Sequence, residues 1–140
     1  MEKSVESAPA PKPGSAQRAK ILLAEDHEAN QLMLSEYLQD QGFEAIRAGN
    51  GHEALAKAAQ TLPDLILMDI QMPEMDGLEA IRRLRAIPRF ASTPILALTA
   101  LAMPGDRERC LEAGATEYMS KPYSLKNLLH TIHKILGRKE

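Results

Sequence analysis

The sequence predicts an α/β protein: a doubly wound, five-stranded parallel sheet in the order 2-1-3-4-5, covered by helices on both faces. Three observations carry this prediction. Short apolar runs alternate with stretches of helical character five times between residues 20 and 136, and that alternation implies parallel strands joined by right-handed crossovers. The run Leu65-Ile66-Leu67-Met68 is apolar at every position, as a strand covered on both faces must be. Acidic residues follow the first and third runs at once (Glu25-Asp26 and Asp69). In a sheet of this order the switch point, where open α/β sheets take their ligands, lies between those two strands.

Residues 1–18 hold Pro9, Pro11, Pro13 and Gly14 with no apolar periodicity, and read as a flexible tail or linker before a domain spanning 19–138. The first strand is Lys20-Ile21-Leu22-Leu23-Ala24. Glu28 to Gln41 carries Met33, Leu34, Tyr37 and Leu38 on one helical face and stops before Gly42, a glycine stop. Phe43 to Ala48 is a short strand, with Gly49-Asn50-Gly51 as its turn, and His52 to Gln60 is an Ala-rich helix closed by Pro63. After the Asp69 strand, Leu78, Ile81 and Leu84 mark a helix that Pro88 ends. Pro94-Ile95-Leu96-Ala97-Leu98 is the fourth strand, Asp106 to Ala113 a helix stopped by Gly114, and Glu117-Tyr118-Met119-Ser120 the fifth strand. The last helix places Leu125, Leu128, Leu129, Ile132, Ile135 and Leu136 at helical spacing behind Ser124 as N-cap.

Composition bounds the function. A chain of 140 residues suits one domain with a core of its own. Seventeen basic against 19 acidic residues leave a formal charge of −2, with both signs scattered, so no broad basic face addresses nucleic acid. The hydrophobic content of 44% with no Trp, two Phe and three Tyr suits a Leu/Ile/Ala-packed core. The single cysteine, Cys110, forms no intramolecular disulfide; it reads as a small helix residue in a reducing compartment. No apolar stretch is long enough to span a bilayer and the first residues lack a signal-peptide core, so a cytoplasmic location without membrane insertion is expected.

Each strand-end residue has two readings when taken alone. Asp69 is a helix cap or a reactive carboxylate; Thr99 is an ordinary strand end or a hydroxyl donor; Lys121 is a solvated charge or a counter-charge. If the strands are parallel neighbours, one edge of the sheet collects Glu25, Asp26, Asp69, Thr99 and Lys121. Two carboxylates about 4 Å apart repel by roughly 4 kcal/mol at an effective dielectric near 20, so such a group protonates or holds a cation. Oxygen-only donors on loops suit Mg²⁺, with Asp26, Asp69 and the backbone carbonyl of Gln71 as direct ligands and Glu25 acting through a bound water. Asp69 can carry a phosphoryl group as an acyl phosphate. A metal beside it shields and orients the incoming oxygens, Lys121 answers the remaining negative charge, and Thr99 supplies a hydroxyl to a phosphoryl oxygen. A cis Lys121-Pro122 bond would aim the lysine into the crevice.

The segments Leu22-Leu23-Ala24-Glu25-Asp26, Leu67-Met68-Asp69-Ile70-Gln71-Met72-Pro73-Glu74-Met75-Asp76-Gly77, Leu98-Thr99-Ala100 and Lys121-Pro122 resemble, in order and spacing, the signature of the receiver domain of two-component response regulators and hybrid histidine kinases. The likeness covers residues 20 to 136 and implies a CheY-like, flavodoxin-like fold. It implies that Asp69 accepts a phosphoryl group, with Mg²⁺, from a phosphohistidine on a histidine kinase or histidine phosphotransfer domain. It also implies that Thr99 moves toward the phosphoryl group and that Tyr118, three residues before Lys121, rotates as the switch aromatic. A downstream protein partner would then read the surface of the fourth helix, fifth strand and fifth helix. Without the resemblance, Tyr118 is equally well half-buried strand packing. Gln71 and Leu101 stand at positions that vary in the family and line the path of attacking water, so they are expected to tune dephosphorylation. Glu25 stands where many members have a second aspartate. His130 and His133 are expected on the surface, neither as a phosphodonor. The wording Met68-Asp69-Ile70-Gln71-Met72-Pro73 is similar to hybrid-kinase receivers, which favours a terminal receiver over a stand-alone regulator.

Two rivals share parts of this pattern. An Asp-nucleophile, Mg-dependent phosphatase of the haloacid dehalogenase type needs a second aspartate two residues after the nucleophile, where this chain has Gln71, and cap elements that 140 residues barely permit. A nucleotide- or flavin-binding module wants a glycine- or hydroxyl-rich phosphate loop after the first strand, where this chain has the acidic Glu25-Asp26-His27-Glu28. The reading is therefore a phosphoacceptor domain that assists its own phosphorylation and dephosphorylation, rather than an enzyme.

Overall fold

The computed structural model describes residues 18–100 and 103–137; the expectations for the tail 1–18 (save Arg18) and for Leu101 fall outside these residues. In chain order the elements are β1 (Lys20–Ala24), α1 (Glu28–Asp40), β2 (Glu44–Ala48), α2 (Gly51–Thr61), β3 (Leu65–Asp69), α3 (Gly77–Arg85), a 3₁₀ turn (Pro88–Phe90), β4 (Ile95–Thr99), α4 (Asp106–Ala113), β5 (Glu117–Ser120) and α5 (Leu125–Leu136). All four strand pairings are parallel, and the sheet order is β2-β1-β3-β4-β5.

Alternation along each strand divides the core into two layers. Leu22, Ala24, Ile66, Met68, Ile95 and Ala97 face one way and pack with Ala54 and Ala58 of α2, Ile81 and Leu84 of α3 and Cys110 of α4. Ile21, Leu23, Leu65, Leu67, Leu96 and Leu98 face the other way, against Leu34 and Leu38 of α1 and Leu128 and Ile132 of α5. The register sets the edge that matters: Ala24 lies beside Met68, Asp69 beside Leu98 and Thr99 beside Ser120. Glu25 and Asp69 thus leave the sheet side by side, in phase with the α1/α5 layer, while Thr99 continues the phase of the α3/α4 layer.

Helix ends follow the expected chemistry, with small shifts of boundary. Ser124 accepts from the Asn127 amide at 3.0 Å and Asp76 from the Glu79 amide at 2.9 Å, each a side-chain N-cap. Asn50, expected in a turn, instead caps α2 by accepting from the Glu53 amide at 2.8 Å, so the helix starts at Gly51. Phe43 is buried but precedes β2, because its amide still closes α1 by donating to the Leu38 carbonyl at 3.0 Å. Pro94, which has no N–H, stands outside β4 and contributes only its carbonyl, which accepts from the Ile66 amide at 3.0 Å.

Two side chains do not sit as expected. Met33 is 46% exposed, since α1 turns Leu34, Ser35 and Leu38 inward; the apolar face is rotated away from Met33. His133 is half-buried rather than on the surface: its ring lies 5.9 Å from that of Phe43, and its Nδ1 is buried with no hydrogen-bond partner among the described residues. Phe43 lies in the same α1/α5 layer and lends the histidine an apolar wall. His130 is exposed, as expected.

Gly77 places α3 against the end of β3. A Cβ there would collide with the Asp69 carbonyl oxygen and come within 2.8 Å of the Ile70 Cα. Gly77→Ala is therefore expected to cost about 1–3 kcal/mol, the usual penalty for overpacking against backbone. Urea denaturation checks this; an unchanged midpoint would show that the β3–α3 loop yields freely.

Candidate functional site

The carboxyl edge of the sheet brings four of the expected residues together. Asp69, at the end of β3, is only 1% exposed, Glu25 2% and Thr99 0%. Lys121 follows β5, and its backbone amide donates to the Thr99 carbonyl at 2.7 Å. That bond anchors the lysine beside β4, and the Lys121-Pro122 peptide is cis, as the sequence reading anticipated. The Lys121 Nζ lies 3.1 Å from Asp69 Oδ2 and 3.9 Å from Glu25 Oε1. One ammonium therefore bridges two buried carboxylates that share a face of the sheet.

The electrostatics follow from this placement. Burial pushes the Asp69 carboxyl above its ordinary value; the Lys121 charge and hydrogen bond oppose that shift, and the Glu25 charge adds to it. The Gln71 amide donates to Asp69 Oδ1 at 3.1 Å, so both carboxylate oxygens have a donor. The Glu25 Oε2 accepts from the backbone amide of His27 at 2.9 Å and lies 3.2 Å from His27 Nδ1.

Asp26 stands differently. Its Oδ1 is buried and makes no hydrogen bond among the described residues, with only the His27 Nδ1 nearby at 3.5 Å; a buried oxygen left in this way has room for a donor or cation. Donor atoms of Glu25, Asp26 and His27 lie within 4.8 Å of one another. Anionic oxygens dominate this group, and the lone nitrogen belongs to a largely exposed ring. The chemistry fits a hard divalent cation, and Asp69, an expected ligand, is not one of the three residues of this group. His27 was not among the expected donors; it follows the acidic pair directly, and only the turn into α1 brings its ring back over them.

One further residue joins the site without having been singled out, and one that was singled out reaches farther than expected. Tyr123, in the β5–α5 loop, packs partly on the α1/α5 core layer. Its phenol is pushed up to about 12 by burial and by the negative charges of Glu25 and Asp69. It helps to line a cleft of about 330 Å³ beside Glu25 and Lys121, together with Asn30, Met33 and Leu125. The Gln71 side chain, expected only near the water path, spans to β4: its Nε2 donates to Thr99 Oγ1 at 2.7 Å, and its Oε1 accepts from the Ala100 amide at 2.9 Å. A loop glutamine flanked by Ile70 and Met72 offers no periodicity by which this reach could be foreseen.

Tyr118 lies outside the cleft. It is half-buried and packs on the α3/α4 core layer. Burial raises its phenol first, and the negative charge of Asp106, a buried residue of α4, raises it further. The ring therefore joins β5 to α4 rather than to the carboxylates.

Comparison with known proteins agrees with this geometry. Residues 21–133 match the response regulator receiver domain family. The polar-differentiation response regulator DivK of Brucella anthropi is 42% identical over 117 residues, which is 84% of this chain and 95% of that protein. Chemotaxis protein CheY4 of Vibrio cholerae superposes with a TM-score of 0.81 at 36% identity, covering 85% of this chain and 99% of that one. The receiver domain of the sensor histidine kinase PA1611 from Pseudomonas aeruginosa, a structure with a magnesium ion coordinated in its active site cleft, superposes with a TM-score of 0.80 at 36% identity. It covers 86% of this chain and 99% of that one. A five-stranded 2-1-3-4-5 sheet that gathers carboxylates and a lysine at its carboxyl edge, together with these likenesses, identifies the chain as a member of the response regulator receiver domain family, a phosphoacceptor signalling domain.

Proposed function

We propose that Asp69 is the phosphoacceptor, taking a phosphoryl group from a phosphohistidine of a histidine kinase or histidine phosphotransfer domain. The observation that supports this most is the pairing of the buried Asp69 carboxylate with Lys121 at 3.1 Å, with Glu25 3.9 Å from the same ammonium. A carboxylate oxygen of Asp69 attacks phosphorus, the phosphorus–nitrogen bond to the imidazole breaks, and its electron pair leaves with the ring nitrogen. The product is an acyl phosphate on Asp69. Lys121 faces the added charge, and the buried Thr99 hydroxyl, one strand away, is the group that turns to donate to it. Tyr118, seated on α4, carries that movement into the α4–β5–α5 surface, which a downstream protein reads.

Mg²⁺ is the proposed cofactor, with Asp26, Asp69 and the Gln71 backbone carbonyl as ligands and Glu25 acting through water. Bound there, Mg²⁺ supplies positive charge to phosphoryl oxygens and so offsets the repulsion between donor and acceptor. Lys121 by itself offsets only part of the charge that Glu25 and Asp69 bring to the pocket. Saturating Mg²⁺ is expected to stabilise the fold by RT ln(1 + [L]/Kd), about 2.7 kcal/mol at one hundred times Kd. Thermal melts with and without Mg²⁺ read this effect, and Asp26→Asn should remove most of it. A melt that Mg²⁺ leaves in place, or moves equally in the variant, would refute the ligand assignment.

The donor-side surface is proposed at the cleft beside Lys121. Met33 and Leu32 of α1 are exposed apolar residues, and Met33, Leu125 and Tyr123 line the cleft that leads to the acceptor. A helix bearing phosphohistidine, laid against α1, would bury these residues. We take hydrolysis of small phosphate esters to be absent, because position 71 carries an amide where a second aspartate would have to act as general acid and base. The chain resembles both DivK, which it nearly spans, and a sensor-kinase receiver; a terminal receiver of a hybrid kinase is our preferred context. Transfer to a separate histidine phosphotransfer domain would support that context.

The deciding experiment is incubation with acetyl phosphate and Mg²⁺, followed by mass spectrometry of the peptides. Phosphorylation confined to the peptide containing Asp69, and lost on chelation, is expected. Modification elsewhere, or none, would refute the assignment.

A further inference from the structure

We infer that the Gln71 side chain is a latch that holds the end of β4 in the unphosphorylated arrangement, and that phosphorylation must displace it. This rests on the reading of Asp69 as phosphoacceptor and names a positioning residue for that reaction. The Ala100 amide can only donate, so it fixes which end of the carboxamide faces it: Oε1 accepts from Ala100 at 2.9 Å. Nε2 is then turned to Thr99 and donates to Oγ1 at 2.7 Å. The backbone amide of the same residue donates to Asp69 Oδ1 at 3.1 Å. Gln71 thus touches the acceptor carboxylate through its main chain and the two following-strand groups through its side chain.

The Ala100 bond is what makes the arrangement a latch, because a backbone amide has one proton to give and Gln71 Oε1 holds it. Thr99 Oγ1 accepts from Gln71; a hydroxyl accepts and donates at once, so this second bond tethers the side chain without using the proton that a phosphoryl oxygen would take. The Ala100 amide is already held by a carboxamide oxygen, the same kind of partner that a phosphoryl oxygen would be. An oxygen arriving on Asp69 therefore competes with Gln71 Oε1 for Ala100 and meets a Thr99 bonded to Nε2. The Ala100 bond must open before β4 can close on the phosphoryl group, and the tether on Thr99 must yield or follow. Breaking one neutral hydrogen bond shifts that equilibrium by up to about tenfold.

The test uses Gln71→Met, which keeps length and bulk without a donor or acceptor, and Gln71→Ala. Beryllofluoride with Mg²⁺ serves as the noncovalent stand-in for the phosphoryl group, and hydrogen exchange of the Ala100 amide is followed by NMR in the free protein. Both variants are expected to bind beryllofluoride up to about tenfold more tightly than the parent and to exchange the Ala100 proton several-fold faster. Affinity at or below that of the parent in the Met variant, or unchanged Ala100 exchange, overturns the latch. The exchange measurement needs no ligand, so it decides the latch even if Asp69 takes neither beryllofluoride nor phosphate. That last outcome would count against the phosphoacceptor assignment instead.

Discussion

Asp69→Asn is expected to abolish phosphoryl acceptance while raising the melting temperature of the metal-free protein. The loss of acceptance follows from chemistry: a carboxamide oxygen is a poor nucleophile and forms no acyl phosphate. The gain in stability follows from the environment, since a carboxylate that is 1% exposed and shares Lys121 with Glu25 carries a cost of desolvation and repulsion. Folding raises this carboxyl from its ordinary value of 3.8. The folded state therefore holds the proton more tightly, and the group's contribution is fully present below pH 3.8 and is lost as pH rises through the folded value. At neutral pH the ionised residue is a net penalty, and its removal should raise Tm, each 1 kcal/mol relieved appearing as about 3–5 °C. The gap between variant and parent should widen as pH rises from 3.8. Calorimetric melts across that range check the sign, and a variant less stable than the parent at neutral pH would contradict it.

Lys121→Ala is expected to have the opposite effect on stability. Removing the ammonium leaves Asp69 and Glu25 buried together with no counter-charge at 3.1 Å and 3.9 Å. Breaking a buried pair from one side costs about 3–5 kcal/mol; with the lysine side chain 26% exposed, water takes up part of the load, and about 2–3 kcal/mol is expected here. The fold should persist, because the strand contacts around it are apolar and the backbone bond from residue 121 to the Thr99 carbonyl remains. Combining the substitution with Asp69→Asn should recover much of the loss, which denaturant titration of the four proteins measures as a coupling energy. Additive effects would show that the lysine acts elsewhere. On the functional side, acetyl phosphate should still find Asp69, but binding of the downstream partner to the phosphorylated form should weaken.

Much of this architecture was legible in single residues. The runs at 21–24, 65–68 and 95–98 are apolar throughout because both faces of each strand are covered, and no half-exposed strand reads that way. Ser124 announced the start of α5 through cap chemistry that is local by nature. Met33 misled, because an apolar residue on a short helix satisfies more than one helical face, and only packing against β1 and β2 selects Leu34 and Leu38. His133 misled for a related reason: Phe43, ninety positions away in the chain, provides the wall that half-buries it.

The identities and strand-end positions of Glu25, Asp26, Asp69, Thr99 and Lys121 were determined by the chain alone, since hydrophobic periodicity places strand ends and a parallel sheet aligns them. Which side chain meets which was decided only by the tertiary structure. Lys121 against Asp69, Gln71 across to Thr99 and Ala100, Tyr123 in one cleft with Glu25 and Tyr118 against Asp106 all join residues from separate loops and strands. Periodicity reports the face on which a residue lies. It carries no information about the few ångströms of side-chain reach that turn neighbouring strand ends into one site.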